Sequence, residues 1–171
     1  MRFLSVLFGF LATIEIASCT APIDKLPFEK IVNDYYNVRA LDFLNGTNNS
    51  RSFLSKTFFH PGTAKPSIYV IKRDIHIISL EKRTEMIDYD KEIEGEVYRI
   101  TVGYSIVGKL VGTKVVTTTA IGKDSIGLIQ TNDGFKVNGD SGNGGDQYVF
   151  EDDVDKAIAN RKLAGTPTTK P

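Results

Sequence analysis

The segment from Tyr98 to Ile106 alternates strictly between large apolar or aromatic residues and polar or small ones. The large residues are Tyr98, Ile100, Val102, Tyr104 and Ile106. Because successive side chains of a β-strand point to opposite faces of the sheet, this spacing predicts a strand with one buried face. The segment from Ser67 to Leu80 is rich in β-branched residues and predicts a second strand.

Short polar connections follow the alternating strand. Turns are expected at 108–112, at 122–124 and at Asn132-Asp133-Gly134, with strands Lys114 to Ile121, Ile126 to Gln130 and Phe135 to Val137 after them. Asp-Gly is a strong signal for a tight hairpin turn. Connections this short join neighbouring antiparallel strands, so the middle of the chain is predicted to be a meander.

Helical periodicity occurs at both ends of this strand-rich region. Apolar residues recur at three- and four-residue steps between Asp24 and Leu44, with Asp24 as a candidate cap and Asn45-Gly46 as a left-handed stop. A shorter helix is predicted from Ser50 to Phe59, and a final one from Glu151 to Leu163. The sequence therefore predicts an α+β fold, with N-terminal helices packed on an antiparallel sheet and an extra C-terminal helix.

The N-terminus has the pattern of an export signal. Arg2 precedes an apolar run from Phe3 to Ile14, and the small residues Ala17 to Cys19 follow. Cleavage after Cys19 would release a secreted protein. The same residues also fit a lipoprotein signal, in which Cys19 becomes lipid-modified and anchors the chain to the cell envelope. Because Cys19 is the only cysteine, an intramolecular disulfide is excluded.

The expected organisation is a signal peptide at 1–19, one α+β domain at 20–139, and a glycine-rich connector with a C-terminal helix and tail at 140–171. The 21 basic and 21 acidic residues balance. A neutral chain without a basic cluster is not typical of a nucleic-acid binder or of a protein that binds anionic membranes. We therefore expect no nucleic-acid partner, and no membrane contact unless Cys19 is lipidated.

Two glycosylation sequons lie close together in a polar break. Their acceptors are Asn45, in Asn45-Gly46-Thr47, and Asn48, in Asn48-Asn49-Ser50. Both asparagines are candidate glycosylation sites, which favours the secreted alternative.

The sequence contains no complete motif for catalysis, metal binding or cofactor binding. The stretch from Gly103 to Lys109 approaches a phosphate-binding loop, but Leu110 stands where Ser or Thr would hold magnesium. His60 and His76 are the only histidines, and neither has a second histidine at helical ligand spacing. We expect no metal, no cofactor and no catalytic residue that sequence can name.

Tyr98 and Tyr104 are candidate ligand-binding residues. They project from the same strand face as Ile100 and Val102. If this face lines a cavity, the two hydroxyl groups provide polar contacts within an apolar wall, which is typical of a small-molecule pocket. The alternative is ordinary core, in which each hydroxyl bonds to the backbone.

The element order resembles the nuclear transport factor 2-like superfamily. A long helix precedes a shorter one that ends at Phe58-Phe59-His60-Pro61-Gly62, and a strand run closes with Asp133 to Val137. The resemblance covers 22–139 and implies a strongly bent sheet wrapped against helices to form a cone with an internal cavity. It also implies a polar residue near the exit of the second helix, a position that His60 occupies, and His60 is therefore a third candidate ligand-binding residue.

These patterns favour a secreted binding or interaction module that holds a small apolar ligand in the cone or binds a protein partner. The alternative is a cone-fold enzyme, an isomerase, cyclase or dehydratase that transfers protons. That enzyme requires a carboxylate or His60 within hydrogen-bond reach of a tyrosine inside a pocket. A homodimer through the exposed sheet is a third hypothesis.

Overall fold

The structure is a computed structural model that describes residues 24–56, 68–88, 90–141 and 147–165. The regular elements are α1 (Leu26–Asn45), a 3₁₀ turn (Asn49–Phe53), β1 (Ile68–Asp88), β2 (Ile93–Val111), β3 (Lys114–Thr131), β4 (Gly134–Ser141), β5 (Tyr148–Phe150), a second 3₁₀ turn (Glu151–Asp153) and α2 (Val154–Gly165). The fold is α+β, as predicted, with a curved sheet. The predicted signal peptide, Cys19 and His60 lie outside the described residues.

Helix α1 matches its predicted segment closely. Pro27 lies in the first turn, where its missing N–H costs no hydrogen bond. The helix begins after Lys25 and not after Asp24 as predicted, because the Lys25 carbonyl accepts the first backbone bonds. It ends at Gly46, whose φ of 70° gives the predicted left-handed stop. Its buried face contributes Phe28, Val32, Tyr35, Tyr36, Ala40, Phe43 and Leu44 to the core.

The predicted second helix is wrong over its described part. The chain forms a 3₁₀ turn at Asn49–Phe53, and Leu54 then pairs in a β-bridge with Val137. The buried carboxylate of Asp42 holds the start of this turn, because it accepts hydrogen bonds from the backbone N–H groups of Asn49 and Ser50 at 2.8 and 2.6 Å. These contacts satisfy the first turn, and the Ser55 N–H then donates to the Val137 carbonyl at 2.8 Å.

The sheet has the order β4-β3-β2-β1-β5. Strands β1 to β4 form the predicted meander of consecutive antiparallel neighbours. Strand β5 departs from the predicted antiparallel arrangement, because it pairs in parallel with β1 through residues 70–72. The Val70 N–H donates to the Gln147 carbonyl at 2.9 Å and begins this pairing.

The strands are longer than the turn signals predicted. β2 continues through Gly108 to Val111, and the turn contains only Gly112 and Thr113. Gly112 has a φ of 59°, which suits a two-residue hairpin. No turn occurs at 122–124, because β3 runs without interruption to Thr131. β4 also extends to Ser141, into the part that was predicted to be a connector.

Helix α2 covers the end of the sheet near the β2–β3 turn. The Arg161 guanidinium donates to the Gly112 carbonyl at 2.6 Å and lies over the Tyr69 ring, 4.5 Å from its centroid. Ala157 is fully packed, and Val154 and Ile158 contact the core. The core therefore lies between α1, α2 and one face of the sheet.

Candidate functional site

A buried polar cluster surrounds Asp124 on the sheet face that α1 covers. Tyr104 donates its hydroxyl to one carboxylate oxygen at 2.8 Å, and Tyr36 donates to the other at 2.9 Å. The Lys72 ammonium lies 3.0 Å from the second oxygen. Four elements thus meet at one carboxylate, because Tyr36 is on α1, Lys72 on β1, Tyr104 on β2 and Asp124 on β3.

Three tyrosine rings surround the Lys72 ammonium. Its ammonium nitrogen is 3.7 Å from the Tyr104 ring centroid, 4.4 Å from that of Tyr148 and 5.7 Å from that of Tyr36. Ring faces carry partial negative charge and attract a cation, most strongly where water is excluded. The Lys72 and Asp124 side chains are only 4% and 6% exposed. The rings and the carboxylate therefore compensate the cost of removing the lysine charge from water.

Two of the surrounding phenols remain protonated across the whole physiological range. Burial raises the pKa of Tyr36, and the negative charge of Asp124 raises it further. Burial also raises the pKa of Tyr148, whose hydroxyl donates to the Tyr36 carbonyl at 3.0 Å. Both side chains consequently act as hydrogen-bond donors and not as sources of protons.

A glycine makes room for Tyr104. Tyr104 and Gly122 are paired residues on β2 and β3, and a Cβ atom at Gly122 would lie 2.1 Å from the Tyr104 ring. Only glycine lets the ring lie across the β3 backbone and reach Asp124, two residues further on. Reasoning from sequence took Gly122 for a turn. The pairing of a tyrosine with a glycine in the β2–β3 register is the signal from which this cluster could have been predicted.

Tyr98 lies elsewhere on the same helix-covered face. Its ring packs against Phe28 at 5.0 Å and against Phe135 at 5.4 Å between centroids. Phe28 and Phe135 also contact each other at 5.0 Å, so three rings fill this part of the interior. The structure thus separates the two candidate tyrosines into an aromatic cluster and a polar cluster. The third candidate, His60, is outside the described residues.

The polar cluster resembles an acid–base site only in part. The enzyme hypothesis requires a carboxylate in contact with a tyrosine inside a pocket, and Asp124 and Tyr104 make that contact. However, Lys72 neutralises Asp124, and two phenols occupy its oxygen atoms. A base needs an available lone pair directed at the substrate. The arrangement therefore favours a structural role for Asp124.

A cleft of about 450 Å³ opens at the opposite end of the sheet, between the β1–β2 and β3–β4 hairpins and the segment after the first 3₁₀ turn. Four aliphatic side chains from these segments line it: Leu54, Ile87, Ile93 and Ile129. Its polar lining consists of Ser55, Lys56, Asp88, Thr131, Asn132, Asp133 and Lys136. An apolar surface with a few polar groups at its margin is typical of a small-molecule site, and the volume lies within the range of such sites.

Hydrogen bonds between the segments hold the walls of this cleft. The Lys136 ammonium donates to the Ser52 carbonyl at 2.8 Å, and the Asn138 amide donates to the Ile87 carbonyl at 3.4 Å. Thr131 donates its hydroxyl to the Gly134 carbonyl at 2.7 Å and fixes the β3–β4 turn. These bonds join all three walls, so the cleft is largely formed before any ligand enters.

Asp88 shapes the β1–β2 turn beside the cleft. Its carboxylate accepts bonds from the backbone N–H groups of Asp90 and Lys91 at 3.1 and 3.2 Å. Burial acts to raise the pKa of Asp88, but the Lys91 side chain and these N–H groups outweigh it and hold the pKa below its usual value. Asp88 is therefore ionised at neutral pH and forms an ion pair with Lys91 at 3.2 Å.

A second, more open cavity of about 560 Å³ lies near the polar cluster. Its lining is mainly polar and includes the carboxylates of Asp74, Glu151, Asp152 and Asp153. Neither Tyr104 nor Asp124 lines this cavity or the cleft. Within the described part of the chain, no group of three or more histidine, cysteine, aspartate or glutamate residues is placed to hold a metal ion.

Both candidate glycosylation sites are exposed. Asn45 is the last residue of α1, and Asn48 precedes the 3₁₀ turn. The Thr47 hydroxyl of the first sequon donates to Asp42 at 2.6 Å. Among the helices that the structure describes, none is long and apolar enough to cross a bilayer.

Comparisons with family models, with curated proteins and with solved structures give no significant match to this chain. The resemblance to the nuclear transport factor 2-like superfamily therefore stays a prediction.

Proposed function

We propose that this chain is a binding module that holds a small, largely apolar molecule in the cleft between the two hairpin ends. One observation carries the proposal: four aliphatic side chains from three separate segments line one cavity of about 450 Å³. Of these, Ile93 is 44% exposed, so burying it under a ligand removes apolar surface from water. The polar groups at the margin suit a ligand with one polar end.

The cleft is open, whereas the interior around Tyr98 and Tyr104, where the sequence predicted the ligand site, is filled. Around Tyr98 the space is filled by Phe28 and Phe135. Around Tyr104 the polar groups are bonded to one another. A ligand in either place would have to displace packed side chains, whereas the cleft needs no such displacement.

We further propose that the protein acts outside the cytoplasm, on the basis of the export pattern at 1–19. Secretion with glycans on Asn45 and Asn48 and anchoring through a lipid on Cys19 are the two forms of this proposal. Mass spectrometry of the mature protein distinguishes them, because a secreted form begins after Cys19 and an anchored form begins at a modified Cys19.

Titration with decan-1-ol and decanoic acid, followed by calorimetry, tests ligand binding. The two probes share an apolar chain and differ in the charge of the head group. We expect saturable binding of at least one probe, together with a rise in thermal stability. A ligand at a hundredfold excess over its Kd adds about 2.7 kcal/mol to the free energy of unfolding. Absence of saturable binding by both probes would refute the proposal.

Two variants locate the site. Ile93→Asn removes an exposed aliphatic side chain from the wall, and Ile129→Trp fills the cleft without reducing apolar surface. We expect each to weaken binding by about tenfold or more, which corresponds to about 1.4 kcal/mol. The matched control is Ile78→Asn on β1, at 39% exposure and outside the cleft lining, which should bind like the parent chain. Equal affinity in all three variants would show that the cleft is not the site.

A further inference from the structure

Two lysines lie at the polar margin of the cleft. Lys56 is on the segment after the first 3₁₀ turn, and Lys136 is on β4. Leu54 pairs with Val137 in a β-bridge, and the Ser55 N–H donates to the Val137 carbonyl at 2.8 Å. These contacts join the two segments, so both lysines belong to neighbouring parts of one wall.

The positive charges of these lysines are not compensated by direct ion pairs. The Lys136 ammonium donates to the Ser52 carbonyl at 2.8 Å, and this neutral acceptor uses one of its three N–H donors. Lys56 is exposed to solvent. In the described parts of the chain, neither lysine forms an ion pair. Both ammonium groups therefore keep donors and charge for a ligand.

The acidic residues of the lining offset only part of this charge. The Asp88 carboxylate pairs with the Lys91 ammonium at 3.2 Å and accepts two backbone N–H bonds of its own turn. Asp133, the other acidic residue of the lining, is exposed in the β3–β4 turn. With the Asp88–Lys91 pair counted as neutral, the lining carries two lysines for one aspartate. The margin of the cleft is therefore positively charged.

The aliphatic wall restricts the rest of the ligand. Among the described residues that line the cleft, none is aromatic, so a planar ligand finds no ring on which to stack. The volume of about 450 Å³ lies in the lower half of the range of roughly 300–1,000 Å³ for small-molecule sites. A cleft of this size and lining suits one hydrocarbon chain.

We propose that the cleft binds a single-chain aliphatic amphiphile with an anionic head group, a carboxylate, that contacts Lys56 and Lys136. This inference rests on the proposed function, because it names the ligand class of the same cleft. A carboxylate adds charge attraction to its hydrogen bonds with the ammonium groups, whereas a hydroxyl supplies hydrogen bonds alone. A cationic head group is repelled by both lysines.

Calorimetric titration of the parent chain with three probes tests the head group. The probes are decanoate, decan-1-ol and decylamine, each used at neutral pH below micelle formation. We expect decanoate to bind about tenfold more tightly than decan-1-ol, and decylamine to bind most weakly. Added salt should weaken only decanoate binding, because ions screen the attraction to the lysines.

The outcomes separate this inference from the proposed function. Equal affinity for decanoate and decan-1-ol, or tighter binding of decylamine, overturns the anionic head group and leaves the cleft as a ligand site. Absence of binding by all three probes overturns both proposals.

Lysine variants locate the head group. Lys56→Gln should weaken decanoate binding by about threefold, as expected for an exposed ion pair, and Lys56→Glu by about tenfold or more. Lys136→Gln should also weaken decanoate binding by about threefold. Decan-1-ol should bind to all three variants as it binds to the parent chain, because it lacks the charge that the lysines attract.

The matched control is Lys123→Gln, which removes an exposed lysine of β3 outside the cleft lining. It should bind decanoate like the parent chain. Decanoate affinity that stays at the parent value in both Lys56→Glu and Lys136→Gln, or that falls no further than decan-1-ol affinity, overturns the assignment of these lysines to the head group.

Discussion

The interior around Asp124 and the cleft around Ile129 are both places where polar and apolar groups from several elements meet. In the interior these groups contact one another, whereas in the cleft they line an open space. In the interior, Lys72, Tyr36 and Tyr104 supply the bonds that Asp124 needs. In the cleft, aliphatic surface faces an empty volume of about 450 Å³. The first region stabilises the fold by itself, and the second has surface left for a ligand.

The largest expected effect separates the two regions by stability. Lys72→Ala leaves the charge of Asp124 buried without its cation and should lower the free energy of unfolding by about 3–5 kcal/mol. The control, Lys30→Ala, removes an exposed helix ion pair with Asp34 and should change stability by less than about 0.5 kcal/mol. Urea denaturation measures both. Equal, small losses would mean that the interior cluster contributes little to folding.

Gly122→Ala tests the packing that brings Tyr104 to Asp124. The new methyl group would overlap the ring, and we expect a loss of about 1–3 kcal/mol. Gly139→Ala is the matched control, because its nearest contact would be an ordinary 3.6 Å to the Arg99 side chain. Thermal unfolding compares the two. A neutral Gly122→Ala would contradict the ring position described above.

Asp42→Asn should lower stability by less than the previous variants and should also weaken ligand binding, because Asp42 caps the 3₁₀ turn that leads to Leu54 in the cleft wall. We expect a loss of about 1–2 kcal/mol and weaker binding of decan-1-ol. Burial acts to raise the pKa of Asp42, but bonds from Thr47, Ser50 and Asn49 outweigh it and lower the pKa.

The pH dependence of Asp42 follows from the sign of this shift. A lowered pKa in the folded chain stabilises it above the unfolded pKa of about 3.9, and the contribution disappears as pH falls through the folded pKa. The stability difference between the parent chain and Asp42→Asn should therefore shrink below about pH 4. A difference that stays constant down to pH 2 would exclude a role for the Asp42 charge.

Sequence reasoning was most accurate where one local cause decides the structure. The end of α1 at Gly46 and the tight turn before Phe135 depend on glycine conformations that neighbouring residues cannot override. It was wrong at Gly122, because the role of this glycine depends on Tyr104, a residue that only the strand register brings opposite to it.

The second helix and the cleft show the same limit. The helix was predicted from apolar spacing. Hydrogen bonds to the buried Asp42 carboxylate and to the Val137 carbonyl instead hold the backbone in a 3₁₀ turn followed by a β-bridge. The cleft combines residues as distant as Leu54 and Ile129, which no local pattern connects. Contacts between remote segments therefore decided both of these points.

The proposed function places a ligand in the cleft and not in the interior of the fold. Isoleucine methyl NMR spectra, recorded while decan-1-ol is added, distinguish these two locations, because isoleucines lie in both regions. We expect shifts for Ile87, Ile93 and Ile129 and none for the fully buried Ile100 and Ile126. Shifts at Ile100 and Ile126 with unchanged cleft signals would contradict it.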